Sequence, residues 1–351
     1  MKILVTGASG FVGKHVVQAL KDEHVLLTPG RHELNLLNKS GPGYHCEIQQ
    51  YGYQVGFLVW YLLENNIDTI IHLAGNVGGI GYNKNNQGKL GFENLQMGLN
   101  ILEAARLAKI KKLIIVGTTC SYPCTPKTIP FIESELFDGM PELTNSGYGV
   151  AKRTLVKLAM EYASQYGMNI TNLIPANMYG PFDHFGGEGT HVIPAIINKF
   201  ENPDYDPGLK CCCPCHGNTH AIRHCIPCCL DGSYKIKPSN TIRLWGTGNA
   251  SREFLYIEDF VRSIVLALET NTGPEPINIG TGQEITIRDL AYLIKKIGYY
   301  HADIMWDDSK PDGQPRRSLN IDRAKNILGW EPLMPLQNGL ANTIKYYRNS
   351  K

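Results

Sequence analysis

The chain begins with an apolar run, Met1-Lys2-Ile3-Leu4-Val5-Thr6, that passes directly into Gly7-Ala8-Ser9-Gly10-Phe11-Val12-Gly13 and then into a helical pattern. Glycines at 7, 10 and 13 permit a tight turn and let backbone N–H groups approach a pyrophosphate at a helix N-terminus, where the peptide dipoles favour negative charge. The spacing alone is weak; its place between a strand and a helix supplies the confirming context. It predicts an α/β chain, a Rossmann-type doubly wound parallel sheet, that holds a dinucleotide across Gly7, Gly10, Phe11, Val12 and Gly13.

The remaining pattern agrees. Asp68-Thr69-Ile70-Ile71-His72-Leu73, a helix near 92 to 109, Lys112-Leu113-Ile114-Ile115-Val116, a helix over roughly 146 to 166, and Asn169-Ile170-Thr171-Asn172-Leu173-Ile174 alternate as βαβ units do. Beyond Pro175 the loops become rich in Gly and Pro, so a smaller C-terminal substrate domain is expected there. The expected division is 1–174 plus about 249–280 for the cofactor domain, and about 175–248 plus 281–351 for the substrate domain.

With 34 basic and 32 acidic residues, the chain has no general attraction to nucleic acid or to a membrane surface. It shows no signal-peptide pattern and no apolar run of the roughly 18 residues that a membrane span needs, so a cytoplasmic protein with a small-molecule partner is expected. The second strand, His24-Val25-Leu26-Leu27-Thr28, lacks the acidic residue that usually binds the ribose 2′-hydroxyl of NAD. Thr28-Pro29-Gly30 leads instead to Arg31, whose guanidinium suits a 2′-phosphate, although a solvated surface arginine would look the same. NADP(H) is the expected cofactor.

Tyr148-Gly149-Val150-Ala151-Lys152 places a phenol and an ammonium one helical turn apart. A cation near a tyrosine favours the phenolate and lowers its pKa by roughly 1 to 3 units, which makes the phenol a proton donor to a carbonyl oxygen receiving hydride. Any helix can carry Tyr and Lys at this spacing by chance, so the pair gains meaning from the glycine loop.

Further stretches are more specific. They are Arg31-His32-Glu33-Leu34-Asn35-Leu36, His72-Leu73-Ala74-Gly75-Asn76-Val77-Gly78-Gly79-Ile80, Thr118-Thr119-Cys120-Ser121-Tyr122-Pro123 and Asn177-Met178-Tyr179-Gly180-Pro181. To these are added His191-Val192-Ile193-Pro194-Ala195, Trp245-Gly246-Thr247-Gly248, Arg252-Glu253-Phe254-Leu255 and Lys310-Pro311-Asp312-Gly313. On these residues the chain resembles the GDP-L-fucose synthases, extended short-chain dehydrogenase/reductases, over essentially its whole length apart from one insertion.

The resemblance implies an NADPH-dependent enzyme that epimerises C3 and C5 of GDP-4-keto-6-deoxymannose and then reduces the C4 ketone. It assigns Cys120 and His191 as the base and acid of epimerisation, and Tyr148, Lys152 and Thr118 to reduction. Taken singly, Cys120 could be a buried strand-end thiol and His191 a satisfied core histidine. Leu73, Ala74 and Lys152 join the glycine loop and Arg31 around the cofactor, while Asn177, Lys199, Trp245, Arg252 and Lys310 are implied to hold the nucleotide sugar; a homodimer is implied as well. Three positions depart from the family: Thr118 where serine is usual, Lys199 where arginine is common, and Ser9 where some members have an arginine at the 2′-phosphate. Another GDP-4-keto sugar, a heptose or a dideoxyhexose, is the nearest alternative; a noncatalytic NADP-binding scaffold is an alternative of another class.

The insertion carries Cys211, Cys212, Cys213, Cys215, Cys225, Cys228 and Cys229, seven of the chain's ten cysteines. Cys212-Cys213-Pro214-Cys215 and Cys225-Ile226-Pro227-Cys228 form paired Cys-x₂-Cys knuckles, the spacing of a tetrahedral zinc site. A reducing compartment disfavours disulfides, so structural zinc on Cys212, Cys215, Cys225 and Cys228 is expected within a module at about 208–235.

Overall fold

The computed structural model describes residues 1–37, 53–187, 189–203 and 241–351. The four expected zinc ligands lie outside the described residues. Among the described residues, no group of three or more His, Cys, Asp or Glu could hold a metal ion, and no helix is long and apolar enough to cross a membrane.

In chain order the strands are β1 (Lys2–Thr6), β2 (Val25–Leu27), β3 (Thr69–His72), β4 (Lys112–Val116), β5 (Ile170–Pro175), β6 (Asn177–Tyr179), β7 (Thr241–Trp245), β8 (Ser251–Tyr256), β9 (Ile277–Ile279), β10 (Glu284–Thr286) and β11 (Asp303–Asp307). Six of them form one sheet in the order β2-β1-β3-β4-β5-β9, every pair parallel. This is the expected doubly wound sheet.

The strands are near-continuous apolar runs because both faces are covered. Alternate residues point to opposite layers. Ile3, Val5, Ile71 and Ile114 enter one core with helix α1 (Phe11–Leu20) and the helix Ile257–Glu269. Leu4, Ile70, Leu113 and Ile115 enter another core, beneath α2 (Tyr53–Glu64), α4 (Gln87–Leu107) and α5 (Ser146–Tyr166). Fully burying each such side chain contributes roughly 1.5 to 3 kcal/mol before entropy is charged against it. Chain order reverses at β1, which has β2 on one side and β3 on the other, and ligands of doubly wound sheets bind beyond the carboxyl ends of the strands at that switch.

Helix α5 covers the span its periodicity indicates, whereas α4 starts at Gln87, ahead of the expected 92, and follows a short helix, α3 (Ile80–Asn85). Its opening residues Gln87, Gly88 and Lys89 are not apolar, so hydrophobic spacing does not reveal that turn.

Two smaller sheets, β10-β8-β6 and β11-β7, cover a separate core with α6 (Val192–Glu201) and the helices Ile287–Ile297 and Leu336–Asn349. Ile193, Ile197, Phe254, Leu290, Ile294, Leu340 and Ile344 fill it. The chain crosses between the layers repeatedly: Leu255 on β8 already packs in the large-sheet core, and so do Leu328 and Trp330 near the C-terminus. Glu253 fastens the crossing. Its buried carboxylate accepts hydrogen bonds from the backbone N–H of Thr281, of Gly282 at 2.9 Å and of Leu319 at 2.7 Å.

Candidate active site

The glycine loop follows β1 at the switch point. Gly7 has φ +73°, and a Cβ there would lie 2.8 Å from the Ala74 nitrogen; a Cβ on Gly13 would lie 2.2 Å from the Gly7 oxygen. Neither position accepts a side chain without moving backbone, so the loop closes tightly against Leu73 and Ala74. Helix α1 starts here with Gly10 as its N-cap, which offers no side-chain cap to the first N–H groups. That is the donor set a pyrophosphate requires. Beneath the loop, Thr6 Oγ1 lies 2.9 Å from His72 Nδ1 and accepts from Ala74 N at 3.2 Å. Burial, helped by the charge of Lys152, pulls His72 down to about 3, so its imidazole is neutral at physiological pH. Arg31 is exposed four residues beyond the end of β2.

Tyr148 and Lys152 lie on the buried face of the first turns of α5. Lys152 Nζ donates to the Val116 carbonyl at 2.9 Å, and burial lowers it to about 8. The expected lowering of Tyr148 by this cation is not seen. Burial holds the phenol well above its ordinary range, the charge of Cys120 adds to the rise, and a hydrogen bond with Thr118 only partly opposes it. Desolvation of the phenolate outweighs a cation whose ammonium is engaged by a backbone carbonyl. Tyr148 is therefore protonated at neutral pH.

Thr118 and Cys120 occupy the turn after β4. Thr118 Oγ1 accepts from Cys120 N at 3.2 Å, and Ser121 Oγ donates to Gly149 O at 3.1 Å, which ties this turn to the start of α5. Arg317 Nη1 lies 3.3 Å from Cys120 Sγ. The same guanidinium donates through Nε to Gln314 Oε1 at 3.1 Å, and Gln314 in turn donates to Pro123 O and Cys124 O. Sequence reading missed Arg317, although it stands just beyond the Lys310 to Gly313 motif.

His191 is the N-cap of α6. The loop before it is fastened to the start of α3, with Gly79 N donating to Gly189 O at 2.7 Å. Cys120 and His191 share no hydrogen bond. Cys120 is linked to the same region through Arg252, one of the expected sugar-nucleotide residues: Arg252 feels the charges of Cys120 and Arg317 and donates to Asp312 O at 3.1 Å, and a Cβ at neighbouring Gly313 would lie 3.2 Å from Ile80 at the start of α3. Burial first and Arg317 second pull Arg252 down to about 10.

The other expected sugar-nucleotide residues divide. Trp245 is 52% exposed, with the Lys310 ammonium 5.7 Å from its ring centroid and α3 against its edge. An exposed indole with a cation above it is a platform for a flat or hydroxyl-rich ligand. Asn177 is committed within the small sheet, donating to Glu253 O at 3.0 Å. Lys199, on α6, donates to the Arg243 carbonyl at 2.5 Å.

Comparison with known proteins follows the same lines. The chain is 33% identical to the GDP-L-colitose synthase of Yersinia pseudotuberculosis over 355 residues, covering 100% of this chain and 99% of that one. It is 31% identical to GDP-L-fucose synthase 1 of Arabidopsis thaliana, covering 99% of this chain and 93% of the other. Among solved structures it is similar to the UDP-glucose 4-epimerase of Thermotoga maritima, with a TM-score of 0.76 at 25% identity and with 100% and 99% of the two chains covered. The family model for the NAD dependent epimerase/dehydratase family matches residues 3–280, and to that family this chain belongs.

Proposed function

We propose that the chain is a GDP-sugar epimerase/reductase that inverts C3 and C5 of GDP-4-keto-6-deoxymannose and then reduces its C4 ketone with NADPH. The observation that carries this reading is that Tyr148, Thr118 and Cys120 form one contact group, with Arg252 and Arg317 charged beside it. A plain reductase has no need of a thiol beside its proton donor.

In this reading Cys120, as thiolate, removes the proton from a carbon next to the C4 carbonyl, and His191 returns one from the opposite face. Both steps use the acidity that the ketone confers. Thr118 and Tyr148 donate hydrogen bonds to the C4 oxygen, and Tyr148 finally transfers its proton to that oxygen. NADPH supplies the hydride when bound. Gly7, Gly10, Phe11, Val12 and Gly13 would hold its pyrophosphate, Leu73 and Ala74 would line its path, Lys152 would orient its ribose and Arg31 would meet its 2′-phosphate. Arg252, Lys310 and Trp245 suit a diphosphate and a ring; Asn177 and Lys199 would act through the local backbone contacts described above. Residues 1–174 with about 249–280 would form the cofactor domain, about 175–248 with 281–351 the sugar-nucleotide domain, and two chains a homodimer.

A second reading, a GDP-4-keto dideoxyhexose as substrate, is favoured by the full-length similarity to a GDP-L-colitose synthase. Incubating the purified protein with NADPH and each keto sugar separates the two. Consumption of NADPH with GDP-4-keto-6-deoxymannose supports the fucose-type assignment, and turnover of only another keto sugar overturns it. Zinc at Cys212, Cys215, Cys225 and Cys228 is proposed from the knuckle spacing alone. Elemental analysis should find about one zinc per chain, lost on changing Cys212 and Cys225 to Ser; a purified chain without zinc contradicts it.

A further inference from the structure

We propose that Asp183 is a positioning residue that holds His191 with Nδ1–H toward its carboxylate, leaving Nε2 to face the sugar; this rests on the epimerase reading of His191.

Asp183 lies in the loop after β6, its side chain 2% exposed. Oδ1 accepts from His184 N at 2.7 Å and lies 3.5 Å from His191 Nδ1, while Oδ2 is buried with no hydrogen-bond partner among the described residues. A buried carboxylate with an oxygen unsatisfied is costly unless it serves a cation. The His191 imidazole stands 3.5 Å from it, on a side chain that is 45% exposed.

The loop is built to hold this carboxylate in place. Phe182 has φ +65°, a left-handed conformation rare for a bulky residue. It persists because the flanking segments are fixed: His15 Nε2 lies 2.9 Å from Pro181 O, and the Phe182 ring packs edge-on against His15 and Tyr346. Among the described residues the other titratable groups on this loop and on α6 are His184, Lys199 and Glu201, and from α1 the Lys14 ammonium stands 5.2 Å from the Phe182 ring centroid.

His191 also needs help to carry a proton. It caps the N-terminus of α6, where the helix dipole disfavours a cation. Burial likewise pulls it down, and the hydrogen bond and charge of Asp183 together push it above the ordinary imidazole value. In the transfer, the Nε2–H bond breaks and its proton goes to the sugar carbanion carbon. His191 is left neutral with Nδ1–H still on Asp183, and the carboxylate is never protonated. The 3.5 Å separation is long for a hydrogen bond and is expected to shorten when substrate fills the cleft.

The test is histidine ¹⁵N NMR on the NADPH-bound full chain, with the His191 resonances identified by their loss in His191→Gln. The wild type should hold neutral His191 as the Nδ1–H tautomer. In Asp183→Ala the Nε2–H tautomer should dominate, and solvent deuterium incorporation into the keto sugar should fall about 10²-fold with KM changed less than about threefold. Asp183→Asn serves if the alanine variant does not fold, and should give the same tautomer change because its amide can donate to Nδ1. The same tautomer in wild type and folded variant overturns the proposal, as does unchanged deuterium incorporation in a variant whose tautomer has switched. A wild type that switches tautomer with Asp183 yet incorporates no deuterium leaves the dyad standing and sinks the epimerase reading instead.

Discussion

The two halves of the proposed site are built by different means. On the cofactor side, backbone does the work: Gly7 and Gly13 admit no side chain, α1 presents uncapped N–H groups, and Tyr148 and Lys152 come from adjacent turns of one helix. On the proposed sugar side, side chains make the contacts: Arg317 reaches Cys120, Arg252 reaches the Asp312 carbonyl, and Asp183 lies beside His191 within one loop. The first kind of site depends on local sequence and tolerates few substitutions. The second depends on the chain crossing between layers, and its parts can be altered one at a time.

That contrast can be broken experimentally. The largest effect is expected from Tyr148→Phe, which keeps the fold and removes the proton donated to the C4 oxygen: reduction should fall by about 10³-fold or more while deuterium incorporation persists. Equal loss of both activities would mean the two halves do not act separately. Cys120→Ser should do the reverse, lowering deuterium incorporation by about 10²- to 10⁴-fold with NADPH affinity unchanged by titration. Retained incorporation would remove Cys120 from the mechanism.

Smaller effects probe the cofactor side. If Arg31 meets the 2′-phosphate as proposed, Arg31→Ala should weaken NADPH binding about tenfold and leave NADH binding unaltered. Equal losses for both cofactors would return Arg31 to the role of a surface charge. NADPH affinity should also decline as pH rises through about 8, where Lys152 loses its proton. A flat affinity from pH 7 to 9 would separate Lys152 from the cofactor. A separate effect concerns stability rather than activity. His72 is held at about 3 in the fold against an ordinary 6.5, so the unfolded chain binds a proton that the folded chain does not as pH falls below 6.5. Its contribution is present above pH 6.5 and declines toward pH 3 by on the order of 1 kcal/mol per unit. His72→Asn should flatten this part of a denaturant-midpoint profile against pH, and an unflattened profile would assign the acid sensitivity elsewhere.

What the sequence reveals follows the same division. The glycine loop is legible because a strand, three glycines and a helix are contiguous, and α5 because its apolar period runs through Tyr148 and Lys152. The sign of the Tyr148 shift is not legible, since burial of a helix face depends on what packs over it. Arg317 and Asp183 escape for a related reason. Each sits a few residues beyond a readable motif, and only the folded chain brings it to Cys120 or His191.

The central claim is that one cleft first labilises the carbons beside a ketone and then reduces it. Turnover of GDP-4-keto-6-deoxymannose with NADPH in D₂O, followed by proton NMR of the product, tests it most directly. The expected product has deuterium at both C3 and C5, inverted configuration there, and protium at C4 from the hydride. A C4-reduced product with protium retained at C3 and C5 would contradict it.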